Sequence, residues 1–186
     1  MDSFNQRKIS VLEKKDKAAK GSWDERIIEL CNKLNSLEEY YTTSSCSGKS
    51  VIMEEKIGKD GSYYLWENHE LLVLDELIWE LKKIKSSGIV KFKSESPVLF
   101  VVCQDIESAE KLFFLARKAG FKQTGIHKTR KLIGVEIRSG EKLEFPFIKD
   151  GKLLGSEEFL LEIVNQSNFR RKLGWEKIER LFNLFN

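Results

Sequence analysis

Residues 97 to 103, PVLFVVC, are apolar at every position yet number only seven. The run is far below the roughly 20 residues needed to cross a bilayer. It shows none of the alternation of a half-solvated strand, so it predicts a central strand. DIESAEKLFFLARKAG follows at once and reads as a helix, with Asp105 placed to cap its start and Gly120 its end. ELLVLDELIWELKKIK is a second amphipathic helix, stopped by Ser86, Ser87 and Gly88. In GSWDERIIELCNKLN, Ser22 and Glu25 have capping-box spacing and Ile27, Cys31 and Leu34 recur at helical period.

KSVIMEE and SYYLWE flank KIGKDG, whose Asp60-Gly61 pair is a hairpin signal. IVKFK precedes the apolar run, and FKQTGIHK, KLIGVEIR and KLEFPF follow DIESAEKLFFLARKAG as three more strands. Residues 156–186 are helical by pattern, with an expected interruption at Gly174, and residues 1–20 form a basic segment. Strand pairs separated by helices occur twice, which predicts a structural duplication. Neither half has strands enough for its own core, so both are expected to share one sheet in a single α+β domain spanning 1–186.

Composition narrows the class. Hydrophobic residues are 41 % of the chain, which excludes disorder for want of apolar surface. Charged residues reach 33 % but nearly cancel, at +3, so only clustering could mark a nucleic-acid surface. Abundant Lys and Glu with few prolines suggests a heat-adapted source. Cys31, Cys46 and Cys103 form no CxxC, and His69 and His127 are the only histidines, so no metal centre or disulfide framework is expected. The polar N-terminus is unlike a signal peptide, and a soluble, cytoplasmic protein is expected. GFKQTG has phosphate-loop glycine spacing but lacks the following Lys-Ser/Thr, and no GxGxxG occurs, which argues against a Rossmann nucleotide site.

The densest unusual stretch is YYTTSSCSGKS at 40–50. It reads equally as an edge strand ending in a polar turn and as a cradle for a charged small molecule. In the second reading, Ser44, Ser45 and the backbone near Gly48 supply donors without bulk, Lys49 adds a positive charge, and Cys46 packs against a ligand sulfur or adenine.

This stretch resembles the Ser-rich SSC-x-G-R signature of the tRNA wybutosine-synthesizing protein 3 family. DKAAKGSWDERI, LWENHE, GFKQTGI followed by VEIRS, and VNQSN resemble further blocks of that family, in order along nearly the whole chain. Two positions depart from it. Lys49 replaces an arginine, keeping charge but losing bidentate bonding, and Phe100 stands where a His is frequent. The resemblance implies an α+β fold with duplicated β/α units around one barrel-like mixed sheet, unlike the common methyltransferase fold.

It also implies S-adenosylmethionine-dependent methylation of the ring N4 of the tricyclic wyosine-type base derived from guanosine 37 of tRNA(Phe), with no metal required. Ser44, Ser45, Cys46, Gly48, Lys49 and Trp66 are the candidate donor-binding residues. The acceptor nitrogen must lose a proton, and His69, Asp16 and Glu136 are the candidate bases. His69 also reads as a surface histidine at a helix start, Trp66 as core, and Asp16 as a solvated charge. Glu136 and Arg138 alternate on one face of VEIRS, positioned to read substrate or to pair with neighbours. The anticodon stem-loop of the tRNA is expected to meet Lys20, Lys128, Arg130, Lys131, Arg138, Asn168, Arg170 and Arg171. Two other classes stay open: a non-catalytic tRNA-binding subunit of the same fold, and a nucleotide hydrolase using Cys46.

Overall fold

A computed structural model describes residues 3–18, 24–54 and 63–185, with the side chains of 14–18 and 63 outside that description. In chain order the elements are α1 (Ser3–Ala18), α2 (Glu25–Ser36), β1 (Tyr40–Cys46), β2 (Lys49–Glu54), β3 (Tyr63–Asn68), α3 (Leu74–Lys83), β4 (Ile89–Glu95) and β5 (Val98–Cys103). They continue as α4 (Ile106–Ala119), β6 (Gly125–Lys128), β7 (Ile133–Arg138), β8 (Leu143–Lys149), β9 (Lys152–Leu153) and α5 (Glu157–Asn183). The α+β class is as expected.

The strands do not share one mixed barrel-like sheet. They form two sheets, ordered β1-β5-β7-β6 and β3-β2-β4-β8-β9, in which every pairing is antiparallel. The expectation assumed that chain halves are the units of folding. Instead each sheet draws strands from both halves, and so each has enough for a core of its own. Two compact units result: residues 1–47, 97–140 and 175–186, and residues 48–96 and 141–174.

In the first unit β5 is central, as its apolar run requires. Leu99, Val101, Val135 and Ile137 point to one sheet face, where Ile27, Leu30 and Leu34 of α2, Leu112 and Ala116 of α4, and Ile178 and Leu181 of α5 cover them. On the opposite face α1 lays Phe4 and Val11 against Tyr41, Val102 and Phe100. The basic 1–20 segment is therefore helical over Ser3–Ala18, which its sparse apolar positions had not indicated.

In the second unit Ile52, Val90, Phe92 and Phe147 pack with Leu77 of α3 and with Leu160, Ile163 and Val164 of α5. Trp66 borders this core. The Asp60-Gly61 turn lies outside the described residues, but β2 and β3 pair antiparallel as a hairpin would.

The ends of the helices follow their local chemistry. Ser22 is outside the described residues. Asp24 occupies the N-cap of α2 without a side-chain cap bond. Asp105 caps α4 by accepting from the Ser108 amide at 2.8 Å and its hydroxyl at 2.5 Å, and Gly120 closes it at φ 104°. Gly174 does not interrupt α5. Its propensity cost of about 1 kcal/mol is small beside the side-chain anchoring of this helix, through Arg171 and Lys177 among others.

The Ser108 hydrogen bonds hold the Asp105 carboxyl below its ordinary value. The cap's contribution is thus present above the unfolded value of about 3.9 and is lost as pH falls through the folded one. Asp105→Ala should cost about 1 kcal/mol near neutrality, measured by denaturant unfolding. The difference from wild type should shrink in acid. A constant difference down to the acid limit would show that the carboxylate is not the cap.

Candidate functional site

β1 carries the Ser/Thr/Cys stretch, and its shape is set by a bulge between Thr42 and Ser44. Asn35 of α2 holds the strand there, accepting from the Thr42 amide at 2.8 Å and donating to its hydroxyl at 3.2 Å. After the bulge Ser44 lies opposite Phe100, Ser45 opposite Leu99 and Cys46 opposite Val98. β5 in turn sets Phe100 opposite Glu136 and Val98 opposite Arg138. Directly paired residues share a sheet face. Ser44, Cys46, Glu136 and Arg138 therefore stand on the face opposite the main core of this unit, with Phe100 among them. Ser45, half-buried, turns toward the other face.

The polar groups of that face are ordered. Arg138 donates to Glu136 Oε1 from Nε at 2.8 Å and approaches it with Nη2 at 2.7 Å. The other carboxylate oxygen is 3.4 Å from His127 Nε2. The Phe100 ring lies 5.9 Å from the His127 ring and directly over Gly134, where an added Cβ would meet it at 2.7 Å. Gly134 thus makes room for Phe100 at the position where the resembled family often has His. Among the described residues, neither the Ser44 nor the Ser45 hydroxyl is spent on a protein hydrogen bond.

Ser47, fully buried, ends the first unit's share of the stretch. Its amide donates to Asp24 Oδ2 at 2.7 Å, and its hydroxyl accepts from Trp175 Nε1 at 3.3 Å. The Arg26 guanidinium lies 4.3 Å over the Trp175 ring. Asp24 was not singled out from sequence, because its partner is distant along the chain. Its place in DKAAKGSWDERI was the signal that pointed to it.

In the second unit Gly48 has φ 101°, in the left-handed region that favours glycine. Lys49 does not offer a free charge. It pairs with Glu67 at 2.7 Å and lies 4.4 Å over the Tyr64 ring. The same contact holds the Glu67 carboxyl below its ordinary value. Trp66 is partly buried and packs against the core of the second unit, and His69 follows β3 in a bend well before α3, not at a helix start.

Within the C-terminal basic cluster, Arg171 does not face solvent: it is 4 % exposed. Its guanidinium donates to the carbonyls of Gly48 at 3.5 Å, Asn68 at 3.1 Å and Glu70 at 3.3 Å, and to the Ser50 hydroxyl at 2.7 Å. Asn168 grips the Leu72 backbone through both amide atoms, at 2.7 and 2.9 Å. Arg170 bonds back to Gln166 on its own helix. These residues fix the path of the chain around the Gly48–Ser50 segment and after β3, and burial takes Arg171 out of the expected RNA contacts. By contrast Lys128, Arg130 and Lys131 are exposed. Lys20 and the Asp16 side chain lie outside the described residues.

Of the thiols, Cys31 and Cys103 are buried, and burial pushes the Cys103 thiol up to about 12. Cys46 is partly exposed.

An open sheet face bearing ordered polar groups, on an α+β fold without a Gly-rich nucleotide loop, defines a small-molecule or nucleic-acid site of non-Rossmann type. The sequence profile described as Methyltransferase TYW3 matches residues 5–186, and the chain belongs to that family. A Thermococcus sibiricus relative is 36 % identical over 183 residues, covering 96 % of this chain and 92 % of its own. It is named tRNA(Phe) 7-((3-amino-3-carboxypropyl)-4-demethylwyosine(37)-N(4))-methyltransferase. A human relative, named tRNA wybutosine-synthesizing protein 3 homolog, is 34 % identical across 97 % of this chain and 71 % of its own. A solved Pyrococcus horikoshii structure, 37 % identical, superposes with a TM-score of 0.92 over 98 % of this chain and 96 % of its own.

The buried Arg171 clip yields a direct test. Arg171→Ala strands three carbonyls and a hydroxyl and should cost about 3 kcal/mol or more in urea unfolding. Arg171→Lys keeps the charge but cannot fork, and should recover only part of the loss. Equal stability of wild type and both variants would show that the guanidinium holds nothing in place.

Proposed function

We propose that this chain is a methyltransferase that uses S-adenosylmethionine to methylate the ring N4 of the tricyclic wyosine-type base derived from guanosine 37 of tRNA(Phe). One observation carries the reading. The row Ser44–Phe100–Glu136 lies on a sheet face turned away from the main core, in a chain matching proteins of that name over nearly its full length. Binding at the anticodon stem-loop, action as a single domain and a cytoplasmic location belong to the same proposal. Among the described residues no helix is long and apolar enough to cross a membrane.

The residues present fit a donor with an amino acid and a nucleoside. The Ser44 and Ser45 hydroxyls of the first unit offer hydrogen bonds without bulk. Lys49 does not fit as the partner of the donor carboxylate, because Glu67 already holds it. When bound, the sulfonium donor supplies an activated methyl group. The protein's part is alignment, which can contribute on the order of 7–11 kcal/mol.

Glu136 is the base candidate that the sheet register sets on the same face as Ser44, with Phe100 between them. Arg138 fixes one of its oxygens and leaves the other to receive a proton, with His127 next in line. Asp16 and His69 remain candidates for the same task. Phe100 and the aromatic edge of His127 provide an apolar wall against which a flat base can stack.

Labelled methyl transfer from S-adenosylmethionine to hypomodified tRNA(Phe) tests the activity. Ser44→Ala and Ser45→Ala should each weaken donor binding by roughly 1 kcal/mol in calorimetry. Unchanged affinity in both would take β1 out of the site. Glu136→Gln should lower the methyl-transfer rate by about a hundredfold while donor affinity holds.

Cys46→Ser should keep measurable turnover, because transfer from a sulfonium needs no enzyme-bound intermediate. An inactive Cys46→Ser that still binds donor and tRNA would restore a covalent role for the thiol. The engagement of Lys49 with Glu67 favours a second reading, a tRNA-binding subunit without catalysis. Tight tRNA binding with no donor affinity would establish it.

A further inference from the structure

The first unit contains a cavity of about 260 Å³ between the start of α1, the end of β5 and the 129–132 turn that joins β6 to β7. Arg7, Lys128, Arg130 and Lys131 line it, with Ser3 and Gln104 as neutral donors, and among the described residues no carboxylate lines it. Among the described residues none of these four cations forms an ion pair with an acidic side chain. Other cations of the molecule do: Lys49 with Glu67, Lys93 with Glu144, and Arg138 with Glu136.

The walls are held in shape. Arg7 donates to the Lys131 carbonyl, to the Ser3 carbonyl at 3.0 Å and to the Ser3 hydroxyl at 3.1 Å. The turn is closed by the Thr129 amide on the Leu132 carbonyl at 2.8 Å. Phe4 anchors this end of α1 on the sheet. Four like charges gathered around one hollow repel each other unless an anion enters. A guanidinium fork and lysine ammoniums with neutral donors beside them suit phosphate oxygens. The volume lies below that of a typical small-molecule pocket, roughly 300 Å³ and up, but accommodates a phosphodiester group.

The position selects the source of that phosphate. Cys103, at the cavity, is three residues along β5 from Phe100, or about 10 Å at strand rise. A phosphate seated here leaves the attached chain free to run along the strands to the Ser44–Glu136 face. We propose that the cavity docks a backbone phosphate of RNA and so anchors the substrate away from the reacting base. This rests on the tRNA reading above. The helical N-terminal segment and the 128–131 turn, basic stretches far apart in sequence, thereby act as one site.

The test is tRNA(Phe) binding at several salt concentrations, with wild type, Arg7→Ala/Lys131→Ala, Lys128→Ala/Arg130→Ala, and Arg7→Lys/Lys131→Arg. Each lost phosphate contact should flatten the log–log salt dependence by about 0.7–0.9. Both alanine doubles should show flatter slopes and several-fold weaker tRNA binding, with donor affinity unaltered. The charge-keeping double should restore the wild-type slope, which separates lost charge from lost packing. The Lys128/Arg130 pair sits on an exposed turn, so its result does not depend on the packing of α1. Parallel lines for wild type and both alanine doubles would overturn the docking site and leave the tRNA reading intact. Slopes that shift as expected without methyl transfer would leave the docking site standing and overturn the catalytic reading. If wild type binds no tRNA but binds inorganic phosphate through Arg7 and Lys131, the cavity serves a small free anion, and the RNA inference falls.

Discussion

The pairing of β5 along both its edges is the constraint on which the first unit depends. Val98–Cys103 bonds to β1 on one side and β7 on the other over its whole length. That register decides which residues meet the helices and which stay on the far face. Leu99 and Val101 go inward, so Val98 and Phe100 go outward, and they take Cys46, Ser44, Arg138 and Glu136 with them. A one-residue slip would exchange the two sets and bury Glu136 in an apolar core. The apolar strand and the polar face beside it are therefore two outcomes of one hydrogen-bonding pattern. The bulge at Thr42/Ser44 completes it, since without the extra residue the serines would change faces.

The stretch that follows is secured from both of its ends. Ser47 is tied by Asp24 and Trp175 within the first unit, and the Gly48 carbonyl and Ser50 hydroxyl by Arg171 within the second. None of these anchors offers a reactive group. Within the second unit the effect is to hold Gly48 in a left-handed conformation, where a looser chain would sample many states. Burying a guanidinium to do this is costly unless its donors are satisfied, and here carbonyls from two segments and a hydroxyl satisfy them.

What could be read from the sequence divides along the range of the interactions. The cap and stop of α4, at Asp105 and Gly120, were legible because their partners lie within a few residues. So was the central position of β5, which composition alone enforces. The face shared by Glu136 and Arg138 was legible from period-two alternation. The division into two sheets was not, because β1 pairs with β5 rather than with its neighbour β2, and no local signal encodes that choice. α1 was missed since its apolar contacts with the sheet are few, Phe4 and Val11 among charged residues. Arg171 looked like surface in FRRK because the carbonyls that bury it come from positions more than a hundred residues earlier. Continuity of α5 through Gly174 was likewise decided by packing, not by propensity. Kinship supplied what periodicity could not, since the matched profile spans residues 5–186 and the stretch 40–50 alone reads equally well as an edge strand.

Charge shows most plainly why placement outweighs sum. A net +3 gave no reason to expect a polyanion partner. In the folded chain Lys49, Lys91, Lys93 and Arg138 face carboxylates, and Arg171 is buried on backbone oxygens. These cations contribute to the formal charge and little to the field at a distance. The set at Arg7, Lys128, Arg130 and Lys131 is small, but among the described residues no acid borders it, so its field reaches solvent until salt screens it over about 10 Å. A protein of almost balanced composition can thus present a strongly positive hollow, provided that its acidic residues are committed elsewhere. The ion pairs of the β-sheets contribute to this: Glu67, Glu136 and Glu144 are each held by a nearby cation.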